Sequence, residues 1–115
     1  MPNPVVHFEI GCRDREKTAA FYQQLFDWQM TPGEMATDIR TGASDPVTGH
    51  IVSLGHEPHN YTIFYVKVAD VKVYLDKAIS LGGKMLVPPV AIPTGTFAWF
   101  ADPEGNTIGL FEDKK

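Results

Sequence analysis

Two side chains that can move a proton lie two positions apart near the start of the chain. Val6, Phe8 and Ile10 are apolar and alternate with His7 and Glu9. A period of two is typical of a strand with one apolar and one polar face, so the imidazole and the carboxylate face the same way. Such a pair acts as a general acid and base or anchors a ligand. The alternative is a hydrogen-bonded polar pair in a cleft, with no chemical role.

The strand that carries this pair belongs to a repeated unit. Shifting residues 5–30 by 56 positions superposes their apolar positions on those of residues 61–86. Asp14 then coincides with Asp70, and each aspartate precedes a helical pattern that it is suited to cap. Further strand-like segments follow both copies, so each half has the predicted order βαβββ.

The repeat predicts the fold class. A four-stranded sheet with one helix leaves its other face uncovered, so neither half is expected to be stable alone. The predicted fold is α+β, with two tandem βαβββ modules in a single domain and the boundary near residue 60. The modules are expected to form a cupped mixed sheet with the helices outside.

Five residues of the second half are predicted to bind a ligand, because aromatic side chains suit a mostly apolar pocket with few polar anchors. These residues are Tyr65, Lys67, Phe97, Trp99 and Phe111. Alternation turns Tyr65, Lys67 and Phe111 towards the cup. The strand that holds Phe97 and Trp99 is apolar on both faces, which leaves their orientation open.

Other side chains are predicted to form the core. The first helix, predicted at Arg15–Phe26, has an apolar stripe that is expected to be buried. The stripe and its neighbour on the next strand are Phe21, Tyr22, Leu25, Phe26 and Trp28. The lone Cys12, in an apolar strand position, is expected to be core rather than a nucleophile.

Two segments are less regular. Residues 41–49 are predicted to be a loop by composition, with a short strand at Ile51–Leu54. Later, a strand at Lys84–Val87 is expected to end at Pro88 and Pro89, because proline cannot donate to a sheet ladder.

Composition excludes several classes of protein. The 115 residues carry a net charge of −4 without a basic patch, which argues against a nucleic-acid partner. No apolar run approaches the ~20 residues that span a bilayer, and no signal peptide is visible. A single cysteine excludes an internal disulfide and favours a reducing, cytoplasmic compartment. A homodimer is expected, because short half-sheets leave edges to cover.

Three segments resemble the vicinal oxygen chelate superfamily, which includes glyoxalase I, bleomycin-resistance proteins and extradiol dioxygenases. They are VHFEI at Val6–Ile10, AFYQQLFDW at Ala20–Trp28 and FADPEGNTIGLFE at Phe100–Glu112. With the repeat, they cover nearly the whole chain. The resemblance is greatest to a small glyoxalase-like branch whose first strand reads VHFEI, and it implies the same paired βαβββ fold.

The resemblance also implies a metal site with one ligand in the first and one in the last strand of each half. His7 matches the first position, whereas its repeat partner is Ile63, which cannot bind a metal. The last-strand position of the second half is Gly109, where a glutamate would be expected.

The fourth position has two candidate alignments. The 56-residue shift makes it Ser53, and alignment of Asp45-Pro46 with Asp102-Pro103 makes it Val52. Neither residue is a carboxylate. One ligand in four therefore remains, and no metal or other cofactor is expected.

The other histidines offer one further candidate. His50, at the predicted junction of loop and strand, is the residue best placed to help His7 hold a metal. His56 and His59 fall in the link between the halves and are expected to be surface residues.

The favoured interpretation is a glyoxalase-like protein that binds a small organic molecule in the cup through His7 and Glu9, without the four-ligand metal centre. One alternative is a lyase, isomerase or dioxygenase that uses His7 with a divalent metal. Another is a non-catalytic protein that sequesters its ligand, as the resemblance to bleomycin-resistance proteins allows. A true glyoxalase I is not expected, because Gly109 lacks the carboxylate that moves the proton.

Overall fold

The computed structural model describes residues 2–42, 44 and 47–115, which form eight strands and two helices. In chain order the elements are β1 (Val5–Gly11), α1 (Arg15–Phe26), β2 (Gln29–Pro32), β3 (Ala36–Arg40), β4 (Thr48–Val52), β5 (Tyr61–Lys67), α2 (Val71–Ser80), β6 (Lys84–Ile92), β7 (Gly95–Ala101) and β8 (Thr107–Asp113). The order βαβββ occurs twice, which confirms the predicted α+β class and its two tandem modules. Neither described helix has the length and apolar character needed to cross a membrane.

The chain divides into two compact units that differ slightly from the sequence modules. The N-terminal unit is residues 7–63, and the C-terminal unit combines residues 2–6 with 64–115. Within the C-terminal unit, the backbone N–H of Lys67 donates to the carbonyl of Pro4 at 2.8 Å, which ties the first residues to β5.

In the N-terminal unit the strands lie in the order β2-β3-β4-β1. β1 is parallel to β4, and the other pairs are antiparallel. The core beneath α1 consists of buried Cys12, Ile39 and Ile51. Phe8 and Ile10 pack against these residues. The prediction that Cys12 is a core residue is confirmed.

In the C-terminal unit the order is β5-β8-β7-β6, with β5 parallel to β8 and antiparallel pairing elsewhere. The core contains Val71 and Leu75 from α2, together with Ala98 and Leu110 from the sheet. Because neighbouring strand residues face opposite ways, Ala98 on the helix side puts Phe97 and Trp99 on the other face. This settles the orientation that sequence alternation left open.

Equivalent aspartates begin the two helices. Asp14 Oδ1 accepts a hydrogen bond from the backbone N–H of Lys17 at 3.0 Å, and Asp70 Oδ1 accepts one from Val73 at 3.1 Å. Each carboxylate satisfies an amide that has no partner within its helix. The predicted equivalence of Asp14 and Asp70 is confirmed.

The buried stripe predicted for α1 is wrong for three of its members, whereas Trp28 packs against the core as predicted. Phe21, Leu25 and Phe26 are 58%, 57% and 52% exposed, and no residue of the helix is fully buried. The helix turns Ala19 and Tyr22 inwards, so that Ala19 packs against the core and Tyr22 is half-buried as the member of the stripe nearest to it. Successive helix residues are rotated by about 100°, so the larger apolar side chains fall on the flank of the contact.

Two strand boundaries also differ from prediction. β4 begins at Thr48, so the end of the predicted loop belongs to a strand; Ala43, Asp45 and Pro46 lie outside the described residues. β6 continues through Pro88 and Pro89 instead of stopping there. The strand tolerates them because its pairing with β7 shifts register between Met85 and Val90, and β6 is the last strand of its unit.

Candidate functional site

Polar residues line the face of β1 and β4 that points away from α1. Phe8 packs in the core, so His7 and Glu9 project from the opposite face. The parallel register then sets His7 beside Thr48 and Glu9 beside His50. Two adjacent strands therefore bring four polar side chains together.

These side chains form a continuous chain of hydrogen bonds. Thr48 Oγ1 lies 2.6 Å from His7 Nδ1, and His7 Nε2 lies 2.6 Å from His50 Nδ1. His50 Nε2 is 3.1 Å from Glu9 Oε1, and the Tyr61 hydroxyl donates to Glu9 Oε2. We call these five residues the relay cluster.

The inner end of the relay cluster is buried. Glu9 is only 5% exposed, and a buried carboxylate is stable only when donors replace its water. His50 and Tyr61 supply such donors. The ring of Tyr61 packs over Gly11, where a Cβ would overlap it, so the glycine makes room for this partner of Glu9. The outer end, Thr48, is exposed.

The surroundings keep His7 neutral. Its pKa falls from 6.5 to about 4, mainly because the ring is removed from water and also because it lies near His50. The negative charges of Glu9 and Asp38 oppose this shift but do not cancel it. A neutral imidazole has one protonated nitrogen and one that accepts, so near pH 7 His7 can donate one hydrogen bond and accept another.

Strand register shows which residue of the first half occupies the last-strand position of the family's metal site. Glu9 pairs with His50 in the N-terminal unit, whereas Tyr65, its repeat partner, pairs with Gly109 in the C-terminal unit. His50 is therefore the counterpart of Gly109, and the alignments to Ser53 or Val52 are wrong. They fail because the segments between the paired strands differ in length.

The side chains at these positions do not fit a four-ligand metal site. Both ring nitrogens of His7 lie at hydrogen-bond distance from protein atoms, and its Nε2 meets His50 directly. Ile63 has an alkyl side chain, and the ring of Tyr65 fills the space that a side chain at Gly109 would occupy. Within the parts of the chain that the structure describes, no group of three or more His, Cys, Asp or Glu could hold a metal ion.

The ligand-binding residues predicted for the second half lie in the C-terminal unit. Tyr65 and Trp99 are buried, and the Trp99 indole N–H donates to the Tyr65 hydroxyl at 2.8 Å. The rings of Phe97 and Tyr65 are in edge-to-face contact, with their centroids 6.4 Å apart. Phe111 is beside Phe97 in the register, and exposed Lys67 pairs with Asp113 at 2.5 Å.

Sequence reasoning missed Thr48 and Tyr61. Thr48 was hidden because β4 was predicted to begin at Ile51, although alternation from His50 would have placed both residues on one face. Tyr61 gives no sequence signal of its own. His56, by contrast, lies on the surface as predicted, with its ring against the carbonyl of Glu57.

A separate cavity of about 350 Å³ lies in the C-terminal unit. Its lining is mostly apolar and comes from α2 and the strands beneath it, and includes Val66, Tyr74, Leu81, Phe100 and Leu110. None of the predicted ligand-binding residues lines it, because they project from the other face of the strands.

Comparison with known proteins agrees with this fold. A glyoxylase-like domain-containing protein of Didymella fabae is 28% identical over 112 residues, covering 89% of this chain and 88% of its own. A member of the glyoxalase/bleomycin resistance protein/dioxygenase superfamily from Vibrio splendidus has a TM-score of 0.63 at 13% identity, covering 98% of this chain and all of its own. Methylmalonyl-CoA epimerase from Mycobacterium tuberculosis has a TM-score of 0.69 at 11% identity, covering 96% of this chain and 88% of its own.

The family assignment rests on the sequence match as well as on the fold. The model of the glyoxalase-like domain matches residues 6–111, a range that includes every member of the relay cluster and, except for Val5, both copies of the repeat. The resemblance noted in the first strand is thereby confirmed, and the chain belongs to the glyoxalase-like domain family.

Proposed function

We propose that this protein binds a small organic molecule at the relay cluster and exchanges a proton with it, without the four-ligand metal centre. The single observation that carries the proposal is the unbroken hydrogen-bonded link from His7 through His50 to Glu9. The link joins an exposed surface at Thr48 to a buried carboxylate.

The roles follow from protonation. His7 is neutral near pH 7, so one of its ring nitrogens can take up a proton only as the other passes its proton along the hydrogen-bonded chain. His50 lies between His7 and Glu9 and can pass the proton inwards. Tyr61 holds the carboxylate of Glu9 in place. Buried hydrogen-bonded networks of this kind fix the orientation of their members, which acid–base chemistry requires.

The C-terminal unit, taken by itself, contains the other predicted ligand-binding residues. Phe97 and Phe111 remain partly accessible, whereas Tyr65 and Trp99 are buried. Within this unit a ligand of its own could therefore contact Phe97 and Phe111, with Lys67 beside Phe111, and the Tyr65–Trp99 pair supports their strands.

Family membership alone does not select the reaction, because one fold hosts many activities. A methylmalonyl-CoA epimerase and a superfamily member grouped with dioxygenases both share this architecture. The donor set of this chain favours metal-free proton exchange over the metal-dependent lyase, isomerase or dioxygenase chemistry.

The proposal is tested by binding. Small aromatic and carbonyl fragments are screened by ligand-observed NMR against the wild type, His7→Ala and Glu9→Gln. Both variants should remain folded by circular dichroism and should weaken binding at least about tenfold. His56→Ala, which removes an exposed histidine of the same unit, should bind like the wild type. Equal binding by His7→Ala and the wild type would contradict the proposal.

A further inference from the structure

The cavity of the C-terminal unit has no part in the proposed function. It lies between α2 and the face of the sheet that α2 covers, and no member of the relay cluster lines it. Of its lining residues, Val68 and Leu110 are buried core, and Val66, Tyr74 and Phe100 pack against that core. Its volume of about 350 Å³ falls within the range of small-molecule sites. The cavity is therefore large enough for a ligand of its own.

The cavity exposes apolar surface at the point where α2 ends. Leu81 lines the cavity and is 71% exposed. The turn that follows holds it there, because Gly82 adopts a φ of +103° and the Gly83 N–H donates to the Ala78 carbonyl at 2.8 Å. A ligand that covers Leu81 removes this apolar surface from water, which is favourable. The lining thus favours a ligand with an apolar body.

Two hydrogen-bond donors of α2 lie at this apolar lining. Tyr74 and Lys77 are three positions apart, so they share one side of the helix, and both line the cavity. The Lys77 ammonium lies 5.8 Å from the centre of the Tyr74 ring. In the part of the chain that the structure describes, neither this ammonium nor the Tyr74 hydroxyl has a hydrogen-bonded or ion-paired partner. Both donors are therefore available to an acceptor on a ligand.

The acidic residue of the lining is already engaged by its own turn. Asp102 accepts hydrogen bonds from the backbone N–H groups of Glu104 and Asn106 and from the Asn106 side chain, each at 2.9 Å. These bonds, the Asn106 side chain first, lower the pKa of Asp102. A cationic ligand would compete with three donors for the Asp102 oxygens, whereas an anionic ligand finds Lys77 without a partner. The cavity is therefore better suited to an anion than to a cation.

We propose that this cavity binds a small amphiphilic acid, in which an alkyl or aryl chain ends in a carboxylate. The chain lies against Val66, Phe100 and Leu110, and the carboxylate accepts hydrogen bonds from Lys77 and Tyr74. This site does not depend on the relay cluster, whose residues all belong to the N-terminal unit.

Probes with one alkyl chain and different head groups test the preference for an acid. Octanoate, 1-octanol and octylamine are titrated separately, and binding is followed by ¹H–¹⁵N NMR shifts of the Leu81 and Gly83 amides. Octanoate should bind at least about tenfold more tightly than octylamine, with 1-octanol between them. Hexanoate should bind more weakly than octanoate, by about fourfold for each methylene removed. A preference for octylamine, or affinity that does not change with chain length, would overturn the inference.

Substitutions separate the contribution of the charge from that of the apolar contacts. Lys77→Met removes the charge from an unbranched side chain, so it should abolish the preference for octanoate over 1-octanol and leave the affinity for 1-octanol unchanged. Tyr74→Phe should weaken octanoate at least about threefold. Leu81→Ala should weaken octanoate and 1-octanol alike. Lys72→Met is the matched control, because Lys72 is an exposed lysine of the same helix that pairs with Asp76.

Two further outcomes would overturn the inference. If Lys77→Met and the wild type bound octanoate equally, Lys77 would serve only the end of α2, where a cation is favourable by itself. If no probe shifted the Leu81 and Gly83 amides, the cavity would not be a binding site for such acids. Neither outcome bears on the proposed function, whose test changes His7 and Glu9 of the N-terminal unit.

Discussion

The ring of Tyr65 lies against Gly109 so closely that a Cβ on residue 109 would overlap it. The two residues are paired in the parallel register of β5 and β8. In this chain the position that resembles the family's last-strand glutamate is thus occupied by a tyrosine ring from the neighbouring strand. A glutamate side chain at residue 109 and the Tyr65 ring in its present position would exclude each other, because they would occupy the same space.

We predict that Gly109→Ala is destabilising. The added methyl group must displace the buried Tyr65 ring, and overpacking of this kind costs about 1–3 kcal/mol. The free energy of unfolding is measured in urea. In a Tyr65→Ala background the further cost of Gly109→Ala should largely vanish, because the clash is gone. An equal cost in both backgrounds would contradict the account.

We predict that His7 makes stability depend on pH. The pKa of His7 is about 4 in the folded protein and 6.5 in the unfolded chain, so between these values only the unfolded chain binds the proton. The stabilisation is present above pH 6.5 and is lost as pH falls towards 4. After allowance for solvent screening of the partly exposed ring, the loss is on the order of 2 kcal/mol.

Urea unfolding above and below this pH window measures the loss. His7→Gln should reduce it, because no proton can then be taken up at this position on unfolding. His56→Gln, which changes an exposed histidine of the same unit, is the matched control. The same loss in wild type and His7→Gln would assign it to other groups, among which Glu9, His50 and Asp38 face this ring.

We predict that protein purified without chelators holds no stoichiometric zinc, nickel, iron or manganese. His7 and His50 bond to each other, while Ile63 and Gly109 offer no ligand, and metal sites need three or four protein ligands. The protein should also fail to isomerise the hemithioacetal of methylglyoxal and glutathione. Elemental analysis that finds about one metal per chain, lost in His7→Ala, would show this prediction to be wrong.

We predict that Tyr65→Phe destabilises the C-terminal unit by about 1–2 kcal/mol, because it removes the hydroxyl that accepts from the buried Trp99 indole. Urea unfolding followed by tryptophan fluorescence measures the change. Tyr74→Phe, a partly buried tyrosine of the same unit, serves as the control. Similar small effects for both variants would mean that the Tyr65–Trp99 bond contributes little.

Much of the fold could be predicted because its signals are local and occur twice. Asp14 and Asp70 each cap a helix as predicted, since a cap depends only on residues three positions away. The alternation in β1 separates Phe8 from His7 and Glu9 in sequence and in structure alike.

The relay cluster could be predicted only in part, because its geometry depends on strand register. His7 and Glu9 are visible in one strand, but Thr48 and His50 join them only if β4 begins at Thr48 and runs parallel to β1. The exposure of one side of α1 could likewise not be predicted from the sequence. Phe21 has the hydrophobicity of a core residue, but the rotation of the helix on its sheet decides whether it is buried.

The two prolines that β6 carries through its irregular pairing also affect how the protein meets other chains. β6 is the terminal strand of its unit and bears exposed apolar side chains at Met85, Leu86 and Ile92. A flat strand of this composition would be a template for intermolecular sheet growth. Pro88 and Pro89 carry no amide hydrogen, so a chain approaching this edge meets a break in the row of donors at its centre. Pro88 and Pro89 therefore disfavour aggregation by strand pairing at this edge.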